Sequence, residues 1–312
     1  MKNSLSVSVI TPSFNQGRFI RHTIDSVLEQ NLHNIEHIII DGGSTDETIS
    51  ILKEYPHLKW ISQPDRGQSD AINKGFAMSC GNVIAWINSD DYYVPGALQA
   101  VCELFQANPN AFLLCGNTVF VDQHDNITFR SGPTMTRWRL FHPWHNGTGI
   151  FQPGTIFRRE VFEQCGPLDI TLHYAMDYDF FLKAVERFAI HHLERDIACF
   201  RSYDESKTGH GYGPFRKERK RVLLRHLRKK NLSKTIWTAI CLHIYNTRQD
   251  VEEAIGQYQL GCTGQARRLL FKACLANPMS LLCYPHLCFR LRQVLGTALY
   301  EHLRKKFHAI HG

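Results

Sequence analysis

The chain has 312 residues, 43% hydrophobic and 21% charged, which suits one large globular domain with room for an appendage and excludes a disordered chain. No apolar run reaches the ~18 residues of a membrane span, and Met1-Lys2-Asn3-Ser4 is followed by no signal-peptide core, so the expected place is the cytoplasm. The net charge of +7 is uneven: residues 215–312 hold 19 Lys+Arg against 5 Asp+Glu, so the first 214 residues are net acidic and the two parts are expected to do different work.

In chain order, residues 5–12 read as a buried strand. Ile20, Ile24, Val27 and Leu28 follow at helical spacing, which predicts an amphipathic helix over 17–30. Residues 35–41 predict a second strand, closed by a Gly42-Gly43 turn. Ser44 with Glu47 three residues on has the pattern of a capping box for the next helix. A strand at 58–63, a helix at 68–79, a strand at 82–88 and a helix at 95–107 continue the alternation, which argues for a parallel sheet with helices on both faces. Apolar stretches 111–121 and 127–130 then flank Asp122 to Asn126 as a hairpin. An irregular segment over 131–150, a strand at 155–158, a helix at 176–188 and a strand at 197–203 make a mixed second half. Residues 204–215 have loop composition and set the domain boundary, with a helical extension over 216–312. The ten cysteines form no C-x-x-C pair, which weakens a zinc ribbon and leaves them as small buried residues of a reducing compartment.

In an open parallel sheet, ligands bind beyond the C-terminal ends of the strands. Those ends read Thr11-Pro12-Ser13-Phe14-Asn15, Asp41-Gly42-Gly43-Ser44, Gln63-Pro64-Asp65-Arg66-Gly67 and Asn88-Ser89-Asp90-Asp91. Acids follow three of the four, and an adjacent pair such as Asp90-Asp91 suits a hard divalent cation with oxygen ligands. Each acid taken alone also reads as a helix cap. Neither G-x-G-x-x-G after the first strand nor G-x-x-x-x-G-K-[ST] occurs, so the dinucleotide and P-loop readings lose their support.

Four ordered runs carry a family resemblance: Val9 to Gly17, Ile40 to Asp46, Pro64 to Gly75 and Trp86 to Asp91. Together they resemble glycosyltransferase family 2 over about the first 210 residues. The resemblance implies an A-type glycosyltransferase fold: a mostly parallel nucleotide-sugar-binding α/β sheet flanked by helices. It also implies a nucleotide-sugar donor, Mg2+ or Mn2+, and transfer with inversion. Carried over by position, Thr11, Pro12 and Phe14 would line the base pocket. Asp41 would accept from the base, which favours uracil, and Asp65 and Arg66 would lie near the ribose and diphosphate. Asn73, Asn88 and Ser89 would complete the donor contacts, and Asp90 with Asp91 would hold the metal. Asp177 falls at the catalytic base, with Asp179 as the next candidate. Two departures stand out: Asn88 where an aspartate is common, and Met176 where a glutamate precedes the base. They keep alive a catalytically impaired nucleotide-sugar-binding protein as an alternative. A sugar nucleotidyltransferase is the rival enzyme on this architecture, without its usual Gly-rich loop.

Outside these motifs, Lys207 could reach the diphosphate and His210 the metal, although a solvated linker serves as well for each. His142 and His145, among Trp138 and Trp144, read as packing or as an acceptor surface. Residues 216–234 hold ten Lys or Arg in nineteen, interleaved with Val222, Leu223, Leu224 and Leu227. That pattern predicts peripheral docking on the anionic inner face of the cytoplasmic membrane, near a glycan or lipid-linked acceptor. The competing reading is a solvated face packed on the acidic domain. Nucleic acid is not expected as a partner, since no nucleic-acid motif accompanies the stripe. Ala254 to Pro278 carry the spacing of one tetratricopeptide-like helix pair.

Overall fold

The computed structural model describes residues 5–132, 135–137, 140, 151–207, 213–228, 264–265, 268–269 and 272. The chain forms two compact units, Met1–Phe141 with Asn146–Leu223, and His142–His145 with Leu224–Gly312. His142, His145, Trp138, Trp144, His210, Leu227 and the 254–278 pattern lie outside the described residues or side chains.

The first unit opens with β1 (Val7–Ser13), α1 (Gly17–Leu28), β2 (Ile35–Asp41), α2 (Thr48–Lys53), β3 (Lys59–Ser62), α3 (Gln68–Met78) and β4 (Val83–Trp86). β5 (Tyr92–Tyr93), α4 (Ala97–Ala107), β6 (Leu113–Val121), β7 (Ile127–Ser131), β8 (Thr155–Arg158), α5 (Arg159–Cys165), α6 (Met176–Arg187) and β9 (Ile190–Arg201) follow. The helix α7 (Gly213–Arg228) follows β9 in the chain. Among the described residues the strands form one nine-stranded sheet, in the order β3-β2-β1-β4-β8-β6-β9-β5 with β7 on β6.

β1 explains the first half. It pairs in parallel with β2 on one side and β4 on the other. The chain therefore runs outward from β1 to β3 and then returns to β1's opposite edge. That reversal leaves a crevice beyond the C-terminal ends of β1 and β4, where ligands of such sheets bind. β2 shows why these strands are uninterrupted apolar runs. Ile39 packs with Ile20, Ile24 and Leu52 on one face, while Ile38 and Ile40 pack with Ala71 on the other. Both faces are covered, so alternation with polar residues would bury unpaired groups. Gly75 lets α3 close onto this layer, because a Cβ there would lie 2.5 Å from Ile10 Cγ2.

The second half is mixed. β8 enters antiparallel between β4 and β6, whereas β9 runs parallel to β6. The hairpin at 122–126 forms as expected between β6 and β7. The strand expected at 197–203 begins earlier, at Ile190, and ends at Arg201, because its first half pairs with β6 despite few apolar residues. The short β5 and α5 carry no pattern that periodicity could have picked out.

The capping box does not form. α2 starts at Thr48, and Ser44 instead donates to Asp41 and accepts from the Asn15 N–H. Asp46 takes the capping role twice, accepting from the N–H of Thr48 at 3.0 Å and of Gly17 at 2.9 Å. Among the described cysteines, all are free thiols and all but Cys80 are buried.

Val222 and Leu223, expected at a headgroup boundary, are 1% and 2% exposed. They belong to the protein interior, and the first unit ends only after them. Among the described residues, no helix is long and apolar enough to cross a membrane.

Candidate functional site

The loops after β1, β2 and β3 meet at the crevice. Asn15 adopts a left-handed conformation (φ 51°) and its side chain accepts from the Thr45 N–H, which ties the first loop to the second. Phe14 is left 60% exposed on this surface. A Cβ on Gly42 would lie 3.2 Å from Asp65 Oδ2 and 3.3 Å from Phe14 Cδ2. Phe14, Gly42 and Asp65 therefore share one wall, an aromatic face beside a carboxylate, and Gly42 keeps it open. Asp65 accepts from the Gly67 N–H at 2.7 Å.

Five expected donor contacts are buried or paired within the protein. Thr11 is fully buried and its hydroxyl pairs with His37 Nε2 at 2.9 Å, so its side chain faces the interior and not a base pocket. Burial drives the His37 pKa down to about 3, so the ring is neutral. Pro12 is likewise buried. Asp41, 0% exposed, accepts from the N–H groups of Gly43 and Ser44 and the hydroxyls of Ser44 and Ser62. These protein donors hold the turn after β2. Asn73 uses both ends of its amide on Leu168, donating to its carbonyl at 2.9 Å and accepting from its N–H at 2.8 Å. It pins the segment before α6 rather than presenting an amide to a donor. Arg66 pairs with Asp70 at 3.0 Å, and with Lys74 it holds the Asp70 carboxyl down at about 2.

The turn after β4 separates its two acids. Thr23 on α1 donates to the carbonyls of the buried Ser89 and of Asp91. Asp91 is 1% exposed, with Oδ1 accepting from the Arg201 N–H and Oδ2 from the Asn88 amide. Burial, and then the charge of Asp90, push its pKa well up. Asp90 is only half-buried and accepts from the Tyr203 hydroxyl at 3.0 Å. Desolvation raises its pKa too. Of the two acids expected at the metal, Asp91 has both carboxylate oxygens engaged within the protein, whereas Asp90 accepts from the Tyr203 hydroxyl. Among the described residues, no three His, Cys, Asp or Glu side chains gather as a metal cage. One carboxylate still fits Mg2+ or Mn2+, which commonly take one or two protein carboxylates together with substrate phosphates.

Asn88 has a use that an aspartate would not fill. Its Oδ1 accepts from Gln68 Nε2 at 2.7 Å and from the Trp86 indole at 3.2 Å, while its amide donates to Asp91. Gln68 in turn accepts from Lys207 Nζ at 2.9 Å. A hydrogen-bonded chain, Lys207–Gln68–Asn88–Asp91, thus crosses the floor of the site. Desolvation lowers the Lys207 pKa against the attraction of Asp177, Glu218 and Asp90.

Asp177 stands in the first turn of α6, half-buried, its carboxylate accepting from the Tyr178 N–H at 2.7 Å. Desolvation raises its pKa, while Arg219 and Lys207 pull it down. Asp179 is 1% exposed and ion-paired to Lys183 at 2.7 Å, so it is not an alternative base. Met176 is buried in apolar surroundings, where a glutamate would be costly.

Sequence reasoning missed Gln68, Arg201 and Tyr203. Arg201 is 3% exposed, stacked 4.7 Å from Phe19 and 5.4 Å from Tyr92. It donates to the Asp90 carbonyl and pairs with Asp125 at 2.9 Å. Its strand end carried no motif, although a lone arginine closing an apolar run, Ile197 to Phe200, is a signal of a paired charge.

Comparison with known proteins sets the chain among glycosyltransferases. The chain is 31% identical to an uncharacterised glycosyltransferase of Nostoc sp. over 53% of its length and 54% of that protein's. The chain therefore spans about half of that relative. It is 28% identical to the uncharacterised glycosyltransferase EpsJ of Bacillus subtilis, over 88% of this chain and 79% of EpsJ. Its fold is similar to S. aureus TarS 1–349 in complex with UDP-GlcNAc, at a TM-score of 0.59 and 16% identity, covering 98% of this chain and 92% of that one. The model of glycosyl transferase family 2 matches residues 8–166, half of the chain, and the chain belongs to that family.

Proposed function

We propose that the chain transfers a sugar from a nucleoside-diphosphate sugar, with UDP as the nucleotide, to a hydroxyl of a glycan or lipid-linked acceptor, with inversion, in polysaccharide or glycolipid synthesis. The observation that supports it best is the convergence of Asp90, Asp177 and Lys207 beyond the same strand ends as the Phe14–Asp65 wall. A nucleobase would stack on Phe14, and Asp65 would meet the ribose. The bond between the anomeric carbon and the diphosphate breaks as the acceptor oxygen attacks from the opposite face. Asp177 takes the acceptor's proton, and its raised pKa makes it a stronger base than an ordinary aspartate. Lys207, within the field of Asp177 and Asp90, would meet the negative charge that develops on the departing diphosphate. Asp90 would hold a divalent cation, which would supply Lewis-acid stabilisation of that charge. TarS in its UDP-GlcNAc complex shares the fold, which supports a donor of this class.

The nucleotidyltransferase reading lacks its Gly-rich loop, and the engaged Asn88 removes one of the two reasons for an impaired site. Incubation with UDP-, GDP- and dTDP-sugars, Mn2+ and a cell extract as acceptor source should release nucleoside diphosphate from one donor class. Absence of release with every donor, or release of pyrophosphate instead, overturns the reading.

Peripheral docking through 216–234 on an anionic membrane, on the cytoplasmic side, belongs to the same proposal. Lys217, Arg221 and Arg225 are exposed, whereas Val222 and Leu223 are buried, so the attraction is electrostatic. Full-length protein should sediment with anionic vesicles at low salt and leave them at high salt. Indifference to the vesicles at low salt removes the membrane from the proposal.

A further inference from the structure

α6 begins without a side-chain cap from the residue that precedes it, Ala175; within its first turn Asp177 accepts from the Tyr178 N–H. The segment that delivers it is held from two sides. On one side α3 supplies Asn73, bound to Leu168, and Ser69, whose hydroxyl donates to the Leu172 carbonyl at 3.1 Å. On the other side stands Glu218 of α7. Its carboxylate accepts from the N–H groups of His173 (3.0 Å), Tyr174 (2.7 Å) and Ala175 (3.0 Å). Arg221, one turn further on, donates to the Thr171 carbonyl at 3.2 Å. Glu218 is the one acid among the ten basic residues of 216–234, and it lies within the first compact unit.

We propose that Glu218 is a positioning residue for the catalytic base: its carboxylate fixes the main chain at 173–175 and thereby the direction in which Asp177 leaves α6. The argument rests on the reading of Asp177 as the base. Three charge-assisted hydrogen bonds converge on one carboxylate immediately before the helix. A carboxylate at a helix N-terminus also faces the positive end of the helix dipole. Arg219, the next residue, brings its guanidinium into the field of Asp177 and 6.0 Å from the Tyr178 ring. Its buried Nε has no hydrogen-bond partner among the described residues. The same turn of α7 therefore sets the place of the base and the charge beside it. Met176 leaves the base without the acidic neighbour that the family resemblance implies, and Glu218 supplies an acid to that corner from 42 residues downstream.

The test uses the full chain with Glu218→Ala, Glu218→Gln and Asp177→Asn, assayed for turnover and for donor affinity by calorimetry. Glu218→Ala should lower kcat roughly 10- to 100-fold, the cost of a misplaced reacting group, with donor affinity within about twofold of wild type. Glu218→Gln keeps an oxygen that accepts N–H groups and should fall between the two in kcat. If Glu218→Ala does not fold, Glu218→Gln carries the test alone, with partial loss of kcat at intact donor affinity expected. Wild-type kcat in either glutamate variant overturns the proposal, and so does a parallel loss of donor affinity. Asp177→Asn separates the two readings. An active Asp177→Asn removes the base assignment itself, whereas an inactive Asp177→Asn beside fully active Glu218 variants removes only the role of Glu218.

Discussion

In the parallel half of the sheet, Phe14, Asp41, Asp65 and Asp90 each stand within a few residues of the end of their own strand. In the mixed half, Asp177, Arg201, Tyr203, Lys207 and Glu218 meet the same crevice from a helix start, a strand end, a loop and a second helix. The first arrangement is local: a strand delivers its last residues to the crevice, and a short turn fixes them. The second is assembled across the chain, as when Arg201 reaches back to the Asp90 carbonyl and Asp91 carboxylate. On the proposed reading, the first half offers mainly a binding surface together with Asp90, and the second sets the remaining charges for chemistry. Substitutions in the two halves should therefore fail in different ways.

The largest expected effect lies in the assembled half. Asp177→Asn should cut kcat roughly 10²- to 10⁴-fold, the usual worth of a positioned base, with donor affinity little changed. The wild-type rate should also fall on acidification with a midpoint above the ordinary aspartate value of 3.8, because the carboxylate must be ionised and its pKa is raised. A pH–rate profile flat down to that value would contradict the assignment.

Arg201→Ala comes next. It breaks the pair with Asp125, removes a positive charge near the buried Asp91 and empties the slot between Phe19 and Tyr92, at about 3 kcal/mol of stability. Denaturant unfolding measures it. A loss confined to activity, with unchanged stability, would make Arg201 a ligand contact and not a strut.

The local half has its own acid sensitivity. His37 is neutral in the fold with a pKa of about 3, against 6.5 for the free side chain. Below 6.5 the unfolded chain takes up a proton that the folded one refuses. Stability that is fully present above that pH is therefore lost as pH falls toward about 3, at ~1.4 kcal/mol per pH unit. Between pH 6.5 and 5 the loss is about 2 kcal/mol, and His37→Gln should flatten that slope. Equal slopes for both proteins would place the acid sensitivity elsewhere.

Phe14→Ala should be the mildest change. Its ring is 60% exposed, so the fold should keep its stability. Loss of base stacking should raise the donor KM roughly three- to tenfold with kcat retained. A fall in kcat at constant KM would erase the division between a binding half and a chemical half.

The sequence by itself determined the alternation of strands and helices through Ala107, because strands covered on both faces must be apolar throughout and their helices must show a 3.6-residue stripe. It also marked where ligands should gather, since an open parallel sheet exposes only its strand ends to a crevice. It named Asp90 and Asp177 through the family resemblance. Tertiary structure decided which named residues were free to serve. Thr11 went to His37, Asn73 to Leu168 and Asp91 to Arg201, because a buried polar group must find a partner and the nearest one lay across the fold. Tertiary structure also turned α7 from a basic stripe into part of the site. Charge counting sees ten cations there and passes over the single acid. Only the packed helix shows Glu218 against three N–H groups at the start of α6. A hydrogen bond joining residues more than forty apart is a property of the packing, and no local pattern encodes it.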